Sequence, residues 1–187
     1  LDAEEGVQSQ SETVWHQADK YKVPRVCFVN KMDKLGADFH RTVGMIEDRL
    51  GANPAIMAIP IGKEQTFKGV VDLLTRKSLI WGSDEMGAQY EPSDEIPADL
   101  KQEVEKYRNI LVEKICESDD SLLESYLEGK EVAIEELKKA LRKATIACKL
   151  VPIFCGSSLR NKGVQPLLDA IIDYLPSHVD VNAVTGV

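Results

Sequence analysis

Short apolar runs alternate with amphipathic stretches at helical spacing near both ends of the chain, and this alternation is typical of a parallel α/β sheet. Three such patterns occupy the first 50 residues: a helix at 9–21, a buried strand at 25–29 and a helix at 37–50. We expect Ser9 or Ser11 to cap the first helix and Gly51 to form the C-cap of the second.

Between about residues 55 and 147 the pattern changes to strands followed by helices, which indicates a separate α+β module. Apolar runs at 54–62 and 67–81 predict strands joined by a glycine-containing turn, with a further extended piece near 88–94. Helical spacing follows at 96–118, 119–128 and 133–147. We expect Pro97 to lie in the first turn of the long helix.

The α/β pattern resumes with an apolar strand at 151–155, which opens at Val-Pro and ends in Gly156-Ser157-Ser158. A helix is predicted at 163–175, with Pro166 tolerated in its first turn. One α/β fold is therefore interrupted by an insertion. The predicted division is a first part at 1–54, an inserted α+β subdomain at 55–147 and a continuation of the first part at 148–187.

The composition is that of a soluble globular protein, with 43% hydrophobic and 29% charged residues among 187. No apolar run approaches the roughly 20 residues of a membrane helix, and the first residues lack the features of a secretory signal. The sequence begins without Met and as though within a strand, so we expect a piece of a longer protein. The four cysteines show no metal-binding or C-x-x-C spacing, which favours a reducing cytoplasm.

The negative charge is concentrated in one segment. Residues 84–143, called the acidic segment below, carry 17 acidic and 9 basic side chains and so contain all of the net charge of −8. Such a segment repels a nucleic-acid backbone and favours a basic protein partner. A set of solvated helix faces would have the same composition, so both interpretations stay open at this point.

Polar and charged residues follow the first apolar strand directly, at the edge where open α/β sheets bind ligands. They are Asn30-Lys31-Met32-Asp33, an N-K-x-D pattern. A carboxylate at Asp33 only accepts hydrogen bonds, and guanine presents two parallel donors, N1–H and the 2-amino group. Adenine has an acceptor at N1, so discrimination on the order of 10⁴ is attainable. We expect Asn30 to bind the far edge of the base and brace two loops, and the Lys31 stem to cover the ring.

The second strand end supplies groups that the first one lacks. We expect a main-chain N–H of the Gly156–Ser158 turn to donate to O6 of guanine, and the Ser157 side chain to hold the Asp33 carboxylate. A small residue at Ser158 allows the backbone to approach the base closely. The alternative is that residues 30–33 form an ordinary surface turn that caps the next helix. The strand context and the matching second strand end argue against that alternative.

Longer stretches closely resemble the bacterial elongation factor G family of translational GTPases. The similar stretches are 10–39, "FKGVVDLL" at 67–74, "EIPADL" at 95–100 and "CGSSLRNKGVQPLLDAIIDYLPSHVDV" at 155–181. The resemblance covers essentially the whole chain. It implies the α/β fold class, specifically the C-terminal part of a P-loop GTPase-type parallel sheet interrupted by an inserted α+β subdomain.

The resemblance also implies roles for individual residues. Asn30, Lys31 and Asp33 match the guanine-recognition motif of the family. A second base-recognition loop is matched by Ser157, Ser158 and Leu159, with Ser158 in place of the usual alanine. The inserted subdomain is implied to face the ribosomal stalk protein, which fits the acidic segment. In the parent protein, GTP hydrolysis would drive movement of tRNA and mRNA through the ribosome.

The phosphate-binding pattern G-x-x-x-x-G-K-[ST] does not occur in this sequence, because Gly62-Lys63 and Gly129-Lys130 are each followed by Glu. The D-x-x-G matches at 33–36 and 84–87 are expected to be coincidental. We therefore assign no catalytic and no metal-binding residue. We expect these residues alone to be inactive, with weak or absent binding of GTP or GDP and with no bound Mg²⁺. Two alternatives are a related translational GTPase of the ribosomal-protection or release-factor type, and a protein-interaction module acting through the acidic segment.

Overall fold

The structure is a computed structural model that describes residues 1–82, 89–177 and 180. Its helices are α1 (Ser9–Lys20), α2 (Phe39–Leu50), α3 (Lys101–Cys116), α4 (Asp120–Leu127), α5 (Ile134–Ile146) and α6 (Val164–Tyr174). Its strands are β1 (Cys27–Val29), β2 (Pro54–Ile56), β3 (Ala58–Ile61), β4 (Gly69–Asp72), β5 (Lys77–Trp81), β6 (Tyr90–Ser93) and β7 (Val151–Cys155).

A parallel sheet with the strand order β1-β7-β2 carries both polar strand ends. Val29 pairs with Cys155 at the carboxyl end of the sheet, and Ile56 pairs with Ile153 on the other side of β7. β7 is buried along its whole length, as expected for a central strand covered on both faces. The sheet therefore brings the residues after β1 and the residues after β7 to the same edge.

The start of the chain runs along the free side of β1. Asp2 forms a parallel bridge to Asn30, and the Asn30 N–H donates to the Leu1 carbonyl at 2.8 Å. Ala3 in turn donates its N–H to the Asn30 carbonyl at 2.8 Å. Asn30 is thus held on both sides by main-chain pairing before its side chain makes any contact.

Of the two helices in the first 50 residues, α2 follows its predicted apolar spacing, whereas α1 buries no residue and its cap prediction is wrong. α2 buries Phe39, Val43, Ile46 and Leu50, and Gly51 ends it with φ of 59°. In α1, however, Gln8 is the N-cap and makes no side-chain cap hydrogen bond. Ser9 and Ser11 already lie inside the first turn of α1, so neither hydroxyl is placed to cap it.

A second, antiparallel sheet has the order β3-β4-β5-β6 and follows directly on β2. The α/β class is therefore confirmed, with a three-stranded parallel sheet and a separate four-stranded antiparallel sheet. The division of the chain at 54/55 and 147/148 stays a prediction. β2 lies across the first of these boundaries and pairs with β7 in the parallel sheet.

The long helix α3 packs on both parts of the molecule. Its apolar side buries Val104, Leu111 and Ile115, and the buried Arg108 guanidinium donates to the carbonyls of Leu73 and Leu74 at 2.7 and 2.8 Å. The predicted place of Pro97 is wrong. The helix begins at Lys101 because residues 97–100 first close a turn, in which the Leu100 N–H donates to the Pro97 carbonyl at 2.9 Å.

Three of the four cysteines are buried as small core residues. Cys27 and Cys155 are buried and Cys148 is exposed, and all cysteines of the chain are free thiols. Burial raises the pKa of the Cys27 thiol to about 11 and raises that of Cys155 still further. Within the described part of the chain, no helix combines the length and apolar character that crossing a membrane requires.

Candidate guanine-binding site

The residues after β1 and β7 form two adjacent loops. The Gly156 N–H donates to the Val29 carbonyl at 3.0 Å, and the Met32 N–H donates to the Gly156 carbonyl at 3.1 Å. A Cβ at Gly156 would lie 2.2 Å from the Lys162 carbonyl oxygen and 2.7 Å from the Phe28 ring, so only glycine fits there. We call residues 30–36 the first loop and residues 156–163 the second loop.

The Asn30 side chain joins the two loops. Its Oδ1 accepts from the Lys31 N–H at 2.8 Å and from the Ser158 N–H at 2.9 Å. Lys31 has a positive φ of 65°, which turns the first loop away from the strand direction. Because Oδ1 is engaged twice, the amide nitrogen of Asn30 is the part of the side chain that remains to donate to a ligand.

The charged side chain of Lys31 is bound to the start of the chain, where its Nζ pairs with an oxygen of Asp2 at 2.5 Å. Burial opposes the shift, but the hydrogen bond from Lys31 and the N–H of Glu4 lower the pKa of Asp2 overall. The same hydrogen bond raises the pKa of Lys31. Asp2 is a partner that the sequence pattern did not identify, because the contact spans 29 positions.

The Asp33 carboxylate lies under the second loop. Its side chain is only 6% exposed, and its Oδ2 lies 3.1 Å from Nε of Arg160, whose side chain is 53% exposed. We predicted that Ser157 would hold this carboxylate. In the structure Arg160 contacts it, and the buried Oγ of Ser157 has no hydrogen-bond partner.

The second loop is a tight turn. Ser157 and Lys162 exchange main-chain hydrogen bonds of 2.9 and 3.0 Å, and the Asn161 N–H donates to the Ser158 carbonyl at 3.1 Å. Leu159 lies at the tip with 82% of its surface exposed. This turn places Arg160 over Asp33.

The expected main-chain donor for O6 of guanine is not free in this conformation. The N–H of Gly156 donates to Val29, that of Ser157 to Lys162, and that of Ser158 to the Asn30 side chain. The reason is the short Asn30–Ser158 contact, which the sequence pattern could not reveal. A carbonyl ligand would have to exchange with Asn30 for the Ser158 N–H.

Glu64 supports the first loop from the outside and was missed by the sequence analysis. The Glu64 N–H donates to the Met32 carbonyl at 2.9 Å, and its Oε1 accepts from the Gly36 N–H at 2.8 Å. Glu64 lies in the connection between β3 and β4, so the antiparallel sheet contacts the candidate site directly. A residue so far from the N-K-x-D pattern carries no local signal for this role.

The two D-x-x-G matches lie in different parts of the chain. The D-x-x-G match at 33–36 lies within the first loop, and its Gly36 is the residue bound by Glu64. The match at 84–87 lies outside the described residues. In the described ranges, no group of three His, Cys, Asp or Glu side chains is arranged to hold a metal ion.

The fold is an α/β fold with two adjacent polar loops at the carboxyl edge of its parallel sheet, and comparison with known proteins gives its family. Residues 1–177 match the model of the elongation factor Tu GTP binding domain, so the chain belongs to that family of GTP-binding domains of the translation-factor type. A crystal structure of a protein from Thermus thermophilus is similar, with a TM-score of 0.84 and 32% sequence identity. That match covers 95% of this chain and 26% of the Thermus chain, so this chain spans about a quarter of its length.

Proposed function

We propose that the two loops bind the guanine base of GTP or GDP. Asp33 accepts from N1–H and the 2-amino group, the amide of Asn30 donates to the far edge of the base, and the Lys31 stem covers one face of the ring. Ser157, Ser158 and Leu159 form the second side of the base site. The observation that best supports this proposal is the buried carboxylate of Asp33, which lies beside a loop that Asn30 ties to the first.

The same residues, together with the resemblance to the elongation factor G family, also support a proposal for the parent protein. We infer that the chain is the base-recognition part of an elongation factor G-type GTPase, which acts in the cytoplasm on the ribosome during translocation. The 187 residues contain no G-x-x-x-x-G-K-[ST] pattern. We therefore expect phosphate and Mg²⁺ binding, and hydrolysis, to depend on other residues of the parent protein. Turnover by this chain above that of a Lys31/Asp33 double variant would contradict the expectation.

Nucleotide binding by the 187-residue chain tests the base site. In a protein-observed NMR titration, we expect GDP to shift the amide signals of Lys31 and Ser158 weakly but saturably, and ADP to leave them unchanged. Asp33→Ala should weaken GDP binding by about tenfold or more, while Lys34→Ala, a change at an exposed neighbour in the same loop, should retain the wild-type affinity. Equal responses to GDP and ADP, or a full response in Asp33→Ala, would contradict the proposal.

A second candidate function is binding of a basic protein partner through the acidic segment. Its net charge supports this function, and so does an open groove beside α3 that is lined by Asp94, Glu95, Glu105 and two lysines. The ribosomal stalk protein is the partner that the resemblance implies.

Titration with the stalk protein at two salt concentrations tests the second candidate. Binding that weakens as salt rises supports it, because contacts between opposite charges are screened. Absence of binding at low salt would leave only the interpretation as solvated helix faces. A related translational GTPase of the ribosomal-protection or release-factor type would share the base site. The sequence of the parent protein, and not this assay, would distinguish that alternative from an elongation factor G-type protein.

A further inference from the structure

The contact between Arg160 and Asp33 occupies the group on which base recognition depends. Asp33 Oδ2 lies 3.1 Å from Arg160 Nε, and the Asp33 side chain is 6% exposed. Little of the carboxylate is therefore accessible while Arg160 remains in place. Arg160 itself is half exposed, so it is free to swing into solvent without disturbing the core.

The chemistry of the two competing groups is alike. A guanidinium carries parallel N–H donors in one plane, and guanine presents its N1–H and 2-amino donors in the same way. We propose that Arg160 competes with guanine for the Asp33 carboxylate, so that a base enters the site only by exchange with Arg160. This inference rests on the proposed guanine-binding function.

The second loop makes this exchange local. Its ends are fixed by the Ser157–Lys162 hydrogen bonds, so the Arg160 side chain moves while the backbone stays in place. The exchange therefore requires only a rotation of the Arg160 side chain.

Exchange with Arg160 lowers the affinity for guanine and increases the preference for guanine over adenine. A base with two donors replaces the ion-pair contact that Asp33 loses when Arg160 leaves. Adenine has an acceptor at N1, so exchange of Arg160 for adenine would replace an attractive contact at Asp33 with a repulsive one. Because a partly exposed ion pair contributes little free energy, we expect the affinity cost for guanosine to be roughly two- to fivefold.

The test is an NMR titration of the 187-residue chain with guanosine and with adenosine, both of which are uncharged. We expect Arg160→Ala to bind guanosine roughly two- to fivefold more tightly than the wild type. Lys139→Ala, which removes one exposed positive charge from α5, should leave the affinity unchanged. In the wild type the Arg160 Nε–H signal should shift with guanosine and not with adenosine.

Ionic strength provides an independent readout. Raising the salt from about 0.05 M to about 0.5 M screens the ion pair between Arg160 and Asp33. Guanosine should therefore bind the wild type more tightly at the higher salt concentration, and should bind Arg160→Ala with the same affinity at both concentrations. Unchanged or weaker guanosine binding in Arg160→Ala, with Asp33-dependent binding in the wild type, would overturn this inference alone. Absence of guanosine binding in both proteins would overturn the proposed function and the inference together.

Discussion

The Oδ1 atom of Asn30 accepts a hydrogen bond from the main-chain N–H of Ser158 at 2.9 Å, across 128 positions of sequence. The same oxygen accepts from the Lys31 N–H at 2.8 Å. This side chain therefore joins the two loops that follow β1 and β7, together with the main-chain bond from Met32 to Gly156. The base site depends on this bond before any ligand is considered.

Replacing Asn30 by Ala should weaken the contact between the loops. The change leaves the N–H groups of Lys31 and Ser158 without an acceptor, so we expect the free energy of unfolding to fall by about 1–3 kcal/mol. Asn30→Asp keeps an oxygen at that position, so its free energy of unfolding should fall less. Urea unfolding checks this, with Asn109→Ala on the exposed side of α3 as control. Equal stability of Asn30→Ala and the control would show that the bond does not hold the loops.

Glu64 should order the first loop through its bonds to Gly36 and Met32. In Glu64→Ala the Gly36 N–H loses its acceptor at 2.8 Å, so we expect its amide hydrogen to exchange about tenfold faster, which corresponds to about 1.4 kcal/mol. Glu64→Gln keeps the oxygen and should retain most of the protection. Hydrogen exchange followed by NMR measures this directly. Unaltered Gly36 protection in Glu64→Ala would rule out a positioning role for Glu64.

The Lys31–Asp2 pair predicts an acid-dependent contribution to stability. The pKa of Asp2 is lowered from its ordinary value of 3.8 in the folded chain, so the unfolded state binds the proton more readily. The pair therefore stabilises the fold above pH 3.8, and its contribution is lost as the pH falls through the lower folded pKa.

Urea unfolding of the wild type and Asp2→Asn between neutral and strongly acidic pH tests this sign. The wild type should be more stable at neutral pH, and the difference should vanish in acid. The control is Asp48→Asn, a change at an exposed carboxylate of α2. Its stability relative to the wild type should not change with pH in this way. A difference between wild type and Asp2→Asn that is independent of pH would contradict the ion-pair account.

Thiol accessibility tests the packing of the whole chain. Cys148 is exposed, whereas the other three cysteines are buried. The folded chain should therefore react quickly at a single thiol with an aromatic disulfide reagent, and at all four after denaturation. Cys148→Ser should abolish the fast reaction. Fast labelling of Cys27 or Cys155 would mean that the parallel sheet is open in solution.

The sequence predicted those elements whose signals are local. β7 has the predicted bounds Val151–Cys155, and α2 buries the predicted apolar face and ends at Gly51. In both cases the burial pattern and the turn residue lie within one short stretch. The start of α3 was missed because a turn at 97–100 uses Pro97 before the helix begins.

The candidate site could be predicted only as far as its motif extends. Asn30, Asp33 and Ser158 are brought together as the parallel pairing of β1 and β7 requires. Asp2, Glu64 and Arg160 make long-range contacts with the first loop that no spacing rule contains. The partner of Asp33 was wrongly predicted for the same reason, because the path of the second loop decides between Ser157 and Arg160.

The most direct test of base recognition compares GDP with inosine diphosphate, which lacks only the 2-amino group, in the wild type and in Asp33→Ala. A hydrogen bond to a carboxylate contributes about 1.5–3 kcal/mol, so we expect the wild type to prefer GDP by about tenfold or more. In Asp33→Ala the two affinities should be equal, because the group that accepts from the 2-amino nitrogen is gone. Equal affinities in the wild type, or a preference for GDP that survives in Asp33→Ala, would contradict the assignment of Asp33 as the residue that recognises guanine.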